Sequence, residues 1–142
     1  MVYEFDGLLE MLKLQLTQLD EPDLIEALNH IKKSLHEISP FKEEPVDCVL
    51  WVKADNVIAN DYNPNTVAPP EMRLLHTSIK EDGFTQPIVT GWDTETGKNV
   101  VVDGFHRNRV GKEFKDIRDR VKNYLPITTI EKSKPQRMAS TI

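Results

Sequence analysis

The chain has 142 residues, 39% of them hydrophobic and 29% charged, which is enough for one domain with a buried core. Its net charge of −5 argues against a simple nucleic-acid coat, and no apolar run approaches the ~20 residues that span a bilayer. The acidic N-terminus lacks the basic region of a secretory signal, and the single cysteine, Cys48, excludes an internal disulfide. These features predict a cytoplasmic protein without a membrane partner.

Two amphipathic helices are predicted at the start of the chain. Leucines recur at helical spacing over residues 8–19, and a second stripe spaced by three and four covers residues 24–38. Pro22 suits the first turn of the second helix. The pattern predicts a helical hairpin over residues 1–40, which packs either on the main domain or on a second copy in a homodimer. The helix pattern alone does not choose between these two.

The remainder, residues 46–142, is predicted to form a small α+β domain after a linker at 39–47. Turn formers cluster in NDYNPN, residues 60–65, and in DTETG, residues 93–97. The other predicted elements are a strand at 48–52, a helix ending before Gly83, strands at 86–90 and 98–103, a helix from about 105 to 123, and a strand at 125–130. Strands 86–90 and 98–103 are expected to pair as a hairpin. Residues 135–142 have the pattern of the start of another helix.

The stretch VVDGFHRNR marks the junction between the strand at 98–103 and the following helix. Gly104 permits a sharp turn and a close ligand approach, and the free amides at the helix start favour an anion. His106, Arg107 and Arg109 add donors and positive charge, so the junction is a candidate phosphate site. Asp103 is placed to orient an arginine or to hold Mg²⁺. A strand, a turn and a solvated helix would produce the same short pattern.

Positive charge is concentrated after this junction. Residues 105–142 contain ten Lys and Arg against four Asp and Glu, whereas residues 1–44 contain four against ten. This asymmetry is typical either of a solvated helix face or of a nucleic-acid surface on an acidic body. The candidate nucleic-acid contacts are Lys112, Lys115, Arg118 and Lys122. No Cys/His metal cluster is visible in the sequence.

The ordered series NDYNPN, SIKEDG, FTQPIV and VVDGFHRNR resembles the ParB/sulfiredoxin superfamily over about residues 46–130. The resemblance implies a small mixed sheet with flanking helices and a bound nucleotide. It assigns the phosphate-binding role to Gly104, His106, Arg107 and Arg109. It assigns the adjoining nucleotide pocket to Asn63, Gly83, Gln86, Pro87 and Ile88. Because the superfamily includes CTP-hydrolysing DNA clamps, ATP-using sulfiredoxins and free-serine kinases, the expected ligand is ATP or CTP with Mg²⁺.

The helical N-terminus running into ISPFKEEPVDCVLWVKADNVIANDYNPN is similar to the IbrB group of ParB-like proteins. That group is described as coactivators of prophage gene expression and is commonly paired with a phosphoadenosine phosphosulfate reductase-like protein. The resemblance therefore implies a regulatory protein with such a partner. It continues into QRMASTI at residue 142, where the family continues a helix, so the chain is expected to be C-terminally truncated.

The chain departs from its enzymatic relatives at specific positions. Phe105 stands where sulfiredoxin has its cysteine, so sulfinic acid reduction is not expected. The Gly-Glu-Arg-Arg form of the DNA clamps is absent, and no helix-turn-helix segment follows within the sequence. Whether the chain is an enzyme stays open: an ATPase, a CTPase or a small-molecule kinase would use Asp103 or Asp61 as candidate catalytic residues. Three classes remain, namely a nucleotide-binding regulator, such an enzyme, and a DNA-binding protein or nuclease.

Overall fold

The computed structural model describes residues 3–59 and 69–131. The chain divides into two compact units, residues 1–42 and residues 43–142. The turn predicted at residues 60–65, with Asp61 and Asn63, lies outside the described residues, as does the helix start predicted at 135–142.

The first unit consists of two helices, α1 (Asp6–Leu16) and α2 (Glu21–Glu37), which confirms the predicted N-terminal helical pair. Asp20 caps α2 by accepting a hydrogen bond of 3.1 Å from the backbone N–H of Asp23. No residue of either helix is buried. Large apolar side chains such as Leu8 and Leu14 remain exposed.

Within the described residues, the second unit contains a five-stranded sheet, three α-helices and two short 3-10 helices, Pro45–Asp47 and Ala54–Asn56. Its strands are β1 (Leu50–Lys53), β2 (Val57–Ile58), β3 (Ile88–Asp93), β4 (Lys98–Asp103) and β5 (Tyr124–Ile130). Its helices are α3 (Pro69–Asp82), α4 (Phe105–Glu113) and α5 (Lys115–Arg120). The strand order is β1-β5-β3-β4-β2. The predicted α+β architecture is therefore confirmed.

Strand pairing brings the end of β4 beside the start of β3. These two strands form the predicted antiparallel hairpin, in which Val89 is the partner of Asp103. Strand β5 runs parallel to β3 and antiparallel to β1, so it lies between two strands that are distant in sequence. Strand β2 pairs in parallel with β4. The sheet is consequently mixed, and the β4–α4 junction lies next to β3.

The core lies between one face of the sheet and the helices. One buried cluster contains Ile88, Val101, Leu125 and Ile127 from β3, β4 and β5. A second buried cluster contains Met72, Ile79, Val110 and Ile117 from α3, α4 and α5, and Phe84 packs against both clusters. Helices α3, α4 and α5 therefore pack on one face of the sheet, and the alternate side chains of β3 and β5 point to the other face.

The single helix predicted from about 105 to 123 is wrong, because the segment forms two helices. Helix α4 ends at Glu113, and Phe114 has extended backbone angles (φ −93°, ψ 113°) before α5 begins. The Phe114 ring stacks on His76 at a centroid distance of 4.0 Å and packs against the helix cluster. Side-chain burial thus takes precedence over helix continuity at this residue. Strands β1 and β3 also begin two residues later than predicted.

Hydrogen bonds from side chains link α5 to α3. The His76 Nε2 lies 2.9 Å from both carboxylate oxygens of Asp116. Arg120 donates to the carbonyls of Ile79 (2.8 Å) and Lys80 (3.0 Å) in the last turn of α3. The hydrogen bond from His76 lowers the pKa of Asp116 below its ordinary value.

Candidate functional site

The β4–α4 junction presents backbone amides at the start of a helix. Gly104 adopts a left-handed conformation (φ 93°, ψ 29°), and its carbonyl accepts the first helical hydrogen bond, 2.9 Å from the Asn108 nitrogen. No side chain in the described part of the chain caps this helix. The amides of Phe105, His106 and Arg107 therefore point outward from the helix start, where the helix dipole favours an anion.

The guanidinium of Arg107 lies directly over Gly104. A Cβ atom at position 104 would lie 2.8 Å from Nη2 and 3.1 Å from Cζ of Arg107. Nη2 donates to the Pro87 carbonyl at 3.0 Å, whereas Nε is buried with no partner among residues 3–59 and 69–131. The charge of Arg107 consequently adds to the positive end of α4.

His106 supplies a neutral imidazole beside the same amides. Its burial, with a further contribution from the charge of Arg109, lowers the pKa of His106 below its ordinary value. The Nδ1 atom is buried and has no partner within the described ranges. The carboxylate of Glu71, in the first turn of α3, acts on His106 in the opposite direction.

Arg109 is held by a neighbour on its own helix. Its Nε and Nη2 atoms donate to the two carboxylate oxygens of Glu113, at 2.8 and 3.3 Å. This hydrogen bond raises the pKa of Arg109. The structure brings Gly104, His106 and Arg107 together at the helix start, while Arg109 lies close enough to influence His106 and is paired with Glu113.

A cavity of about 370 Å³ adjoins the junction beside Val89 of β3 and Thr128 of β5, on the side of the sheet away from α3, α4 and α5. Arg107 and Asp103 line it, together with Gln86 and Pro87 from the segment before β3. The sequence pattern did not identify the other lining residues, which include Val46, Val89, Thr128 and Ile130. The lining is mainly apolar, and Arg107 and Asp103 are its charged side chains.

The remaining predicted pocket residues lie elsewhere. Ile88 is fully buried in the sheet core. Gly83 ends α3 in a left-handed conformation (φ 79°), where its N–H donates to the Ile79 carbonyl at 2.8 Å. Asp103, the candidate catalytic and Mg²⁺-binding residue, does line the cavity, where it is exposed and accepts a hydrogen bond from the Gly104 N–H at 2.9 Å. Gln86 and Pro87 are thus the predicted pocket residues that line the cavity.

The four candidate nucleic-acid contacts do not form one open basic face. Lys112 is half-buried and donates to the Val57 carbonyl, and burial lowers the pKa of its amine. Arg118 donates to the Lys112 carbonyl at 3.1 Å, and Lys115 pairs with Asp119 at 2.6 Å. Lys122 is exposed in the turn before β5. Most of these basic side chains therefore bind groups of the second unit itself, which leaves fewer of them available to contact DNA.

Two limited negative findings concern metals and membranes. In the ranges 3–59 and 69–131, no group of three or more His, Cys, Asp or Glu side chains is arranged to hold a metal ion. In the same ranges, no helix is both long and apolar enough to cross a membrane.

No family model matches the chain. The chain is 54% identical over 129 residues to the uncharacterized protein YbdM of Escherichia coli strain K12. The match covers 89% of this chain and 60% of YbdM, so the chain spans about three fifths of the length of this relative.

Solved structures share the fold at low sequence identity. The chromosome-partitioning protein ParB from Caulobacter crescentus, C-terminally truncated and complexed with CTP-γ-S, matches with a TM-score of 0.53 and 22% identity. That match covers 64% of this chain and 48% of the ParB chain. Sulfiredoxin from Arabidopsis thaliana matches with a TM-score of 0.49 and 12% identity, over 65% of this chain and 94% of sulfiredoxin. The match to ParB confirms the predicted ParB-like α+β fold.

Proposed function

We propose that the chain is a ParB-like regulatory protein that binds nucleotide phosphates at the β4–α4 junction. The observation that carries this proposal is the start of α4. Its first amides are uncapped by any described side chain, and the Arg107 guanidinium occupies the space that the missing side chain of Gly104 leaves beside them. A polyphosphate is the common ligand whose charge and oxygens match this combination of donors.

The fold supports a nucleoside triphosphate as the ligand. The ParB chain that shares this fold was solved with a CTP analogue. ATP or CTP with Mg²⁺ is accordingly the proposed ligand, and Asp103 is the carboxylate beside the junction that could contact the ion through its water shell. On the basis of the superfamily resemblance, Gln86 and Pro87, which line the cavity, are proposed pocket residues together with Asn63 and Gly83, whereas Ile88 would support the pocket from the core.

The proposed regulatory role rests on the resemblance to the IbrB group. In this proposal, the helices of residues 1–40 form an appendage or a homodimer contact, and residues 46–142 bind the nucleotide. It also implies a coactivator of prophage genes in the cytoplasm, with a reductase-like partner protein. A second candidate function is nucleotide hydrolysis or phosphoryl transfer, in which Asp103 or Asp61 would act as the catalytic carboxylate.

DNA binding or nuclease activity is a further alternative, motivated by the ten Lys and Arg among residues 105–142. Arg118 and Lys112 instead bind backbone carbonyls, which weakens the case for a DNA surface on this segment. Binding through phosphate contacts would weaken steeply with salt. Titration of a labelled duplex at low and high salt separates this alternative from nucleotide binding.

The primary test is thermal unfolding with ATP, CTP, GTP and ADP, with and without Mg²⁺. We expect one nucleotide to raise the melting temperature, because a ligand that binds only the folded state stabilises it. Arg107→Ala should weaken that nucleotide by about tenfold or more, since a charged hydrogen bond contributes roughly 1.5–3 kcal/mol. Arg73→Ala removes an exposed arginine of α3 and should leave the affinity unchanged. Equal nucleotide affinity in Arg107→Ala and the parent chain would place the phosphates elsewhere.

The pH dependence of nucleotide affinity provides a second expected result. Burial holds the pKa of His106 below its ordinary value, so the imidazole is neutral in the free protein near pH 7. A bound phosphate favours the protonated form and raises this pKa, so affinity should increase as the pH falls through the pKa that His106 has in the complex. His106→Gln retains the titration of the nucleotide itself but should lose the additional increase. Parallel affinity–pH curves for the two proteins would exclude His106 from the phosphate site.

A further inference from the structure

The exposed apolar side chains of the described residues are concentrated in the first unit. Twelve of the fifteen large apolar side chains that are exposed lie in residues 3–41, and three lie elsewhere in the described residues. No residue of α1 or α2 is buried. Units of about 40 residues generally need a disulfide, a metal or oligomerisation for stability. Because the single cysteine, Cys48, lies outside the first unit, no internal disulfide can stabilise these helices.

Helix α2 carries a heptad stripe that is open to a second helix. The stripe consists of Leu24, Leu28, Ile31, Leu35 and Ile38. Its members are spaced alternately by four and three residues, which is the a/d pattern of helices that pack side by side. Leu28, Leu35 and Ile38 are 39%, 59% and 81% exposed. The apolar stripe therefore becomes more exposed toward the end of α2.

The exposed apolar surface of the first unit is large enough for a stable interface. Most of its twelve exposed side chains are at least half exposed. Together they present on the order of 1,000 Å², and a stable protein–protein interface buries about 800 Å² on each partner. Residues 1–44 are also acidic, with four Lys and Arg against ten Asp and Glu. Because helices that bind lipid surfaces carry Lys and Arg on their polar faces, a protein surface is the better match.

The charge of α2 changes sign along the helix. Its N-cap and first turns carry four carboxylates and no Lys or Arg, namely Asp20, Glu21, Asp23 and Glu26. Residues 27–36 carry two cations and no carboxylate, namely Lys32 and Lys33. The charge of Asp20, with a smaller contribution from Glu26, raises the pKa of Asp23, so the acidic half is under repulsion in one copy. Two antiparallel copies of α2 place unlike charges and unlike helix ends side by side, whereas parallel copies place like beside like.

We propose that α2 pairs in an antiparallel arrangement with α2 of a second copy of this chain, with Leu28, Ile31 and Leu35 of each copy in the contact. A twofold axis brings the same patch of both copies together, which suits a surface that is complementary to itself. Of the two roles proposed for residues 1–40, the helices therefore take that of a homodimer contact, in a defined orientation. This pairing rests on the proposed homodimer role and not on nucleotide binding at the β4–α4 junction.

Sedimentation velocity of the full chain across the micromolar range tests the contact. We expect a dimer for the parent chain and a monomer for Leu35→Glu, because a carboxylate without a partner is unfavourable in an apolar interface. Leu35 is exposed in one copy, so the helix content by circular dichroism should be unchanged. Leu74→Glu replaces a leucine of α3 that is 72% exposed and should remain a dimer. A monomeric parent chain, or a Leu35→Glu variant that is still a dimer, would overturn the proposal.

Charge reversal tests the orientation of the two helices. Lys32→Glu/Lys33→Glu makes all of α2 acidic and should raise the dimer Kd by about tenfold or more at low ionic strength, where screening is weak. Lys53→Glu/Lys80→Glu makes the same change in net charge at exposed lysines of the second unit and should leave the Kd near that of the parent. In a parallel dimer, like charges face each other before and after the reversal, so equal Kd values for both double variants would exclude the antiparallel pairing. Because the helices belong to the first unit and the junction to the second, a monomeric chain that still binds nucleotide would contradict this pairing alone.

Discussion

Gly104→Ala is expected to lower nucleotide affinity by about tenfold or more and to destabilise the second unit. An L-residue in the left-handed region is strained by roughly 1–2 kcal/mol, and Gly104 has a φ of 93°. The added Cβ would also lie 2.8 Å from the Arg107 Nη2 atom, which is closer than a real Cβ contact. The guanidinium must therefore move away from the helix start, and the anion loses the charge placed over the amides. Thermal unfolding with and without nucleotide measures both effects.

Gly97→Ala is the matched control for this substitution. Gly97 also has a positive φ, 66°, in the β3–β4 turn, but a Cβ there would meet nothing within 4 Å. Both variants carry backbone strain, and only Gly104→Ala displaces Arg107. We expect the nucleotide affinity of Gly97→Ala to equal that of the parent chain. If both variants bind nucleotide as the parent does, the Arg107 guanidinium held over Gly104 does not bind the phosphates.

The junction could be predicted from sequence because its determinants are local. Gly104, His106 and Arg107 lie within four residues, and the strand pattern before them fixes where the helix begins. The left-handed conformation of Gly104 and its position at the start of α4 agree with that prediction. A short motif predicts the local backbone conformation and the local charge, because both depend on residues that are neighbours in sequence.

The cavity could not be predicted in the same way because it depends on strand order. Thr128 and Ile130 belong to β5, which lies between β1 and β3 in the sheet. Val89 is the partner of Asp103 only because β3 and β4 pair in this register. The alternation of side chains along each strand is visible in sequence, but the choice of neighbouring strands is not. In the sequence, Val89, Thr128 and Ile130 are therefore indistinguishable from other strand residues.

The basic segment shows that composition alone does not predict an exposed positive surface. Ten Lys and Arg follow the junction, and counting them suggests an exposed positive surface. In the structure, Lys112 and Arg118 donate to backbone carbonyls, and Arg120 donates to two carbonyls in the last turn of α3. Carbonyl acceptors are present at every residue, so a sequence cannot show which cations they engage. The prediction of a single long helix failed for a related reason, since Phe114 packs against distant side chains.

The position of α4 on the sheet, and hence of its first amides, depends on Gly111. A Cβ at this glycine would lie 2.4 Å from Cδ2 of Leu125 and 3.3 Å from Cζ of Phe84. Leu125 is fully buried, so its side chain has little room to move. Gly111→Ala should therefore destabilise the second unit: overpacking costs about 1–3 kcal/mol, and the better helix propensity of alanine offsets about 1 kcal/mol of that.

The sign of this effect should reverse when Leu125 is truncated. Leu125→Ala alone is expected to lower the free energy of unfolding by about 2–5 kcal/mol, because it leaves a cavity. In that background the atom 2.4 Å from the new Cβ is absent. Gly111→Ala should then stabilise the protein by about 1 kcal/mol through helix propensity. Urea unfolding of the four proteins in this double-mutant cycle measures the coupling. An equal effect of Gly111→Ala in both backgrounds would show that α4 does not pack on β5 through this contact, and the helix start would then need another support.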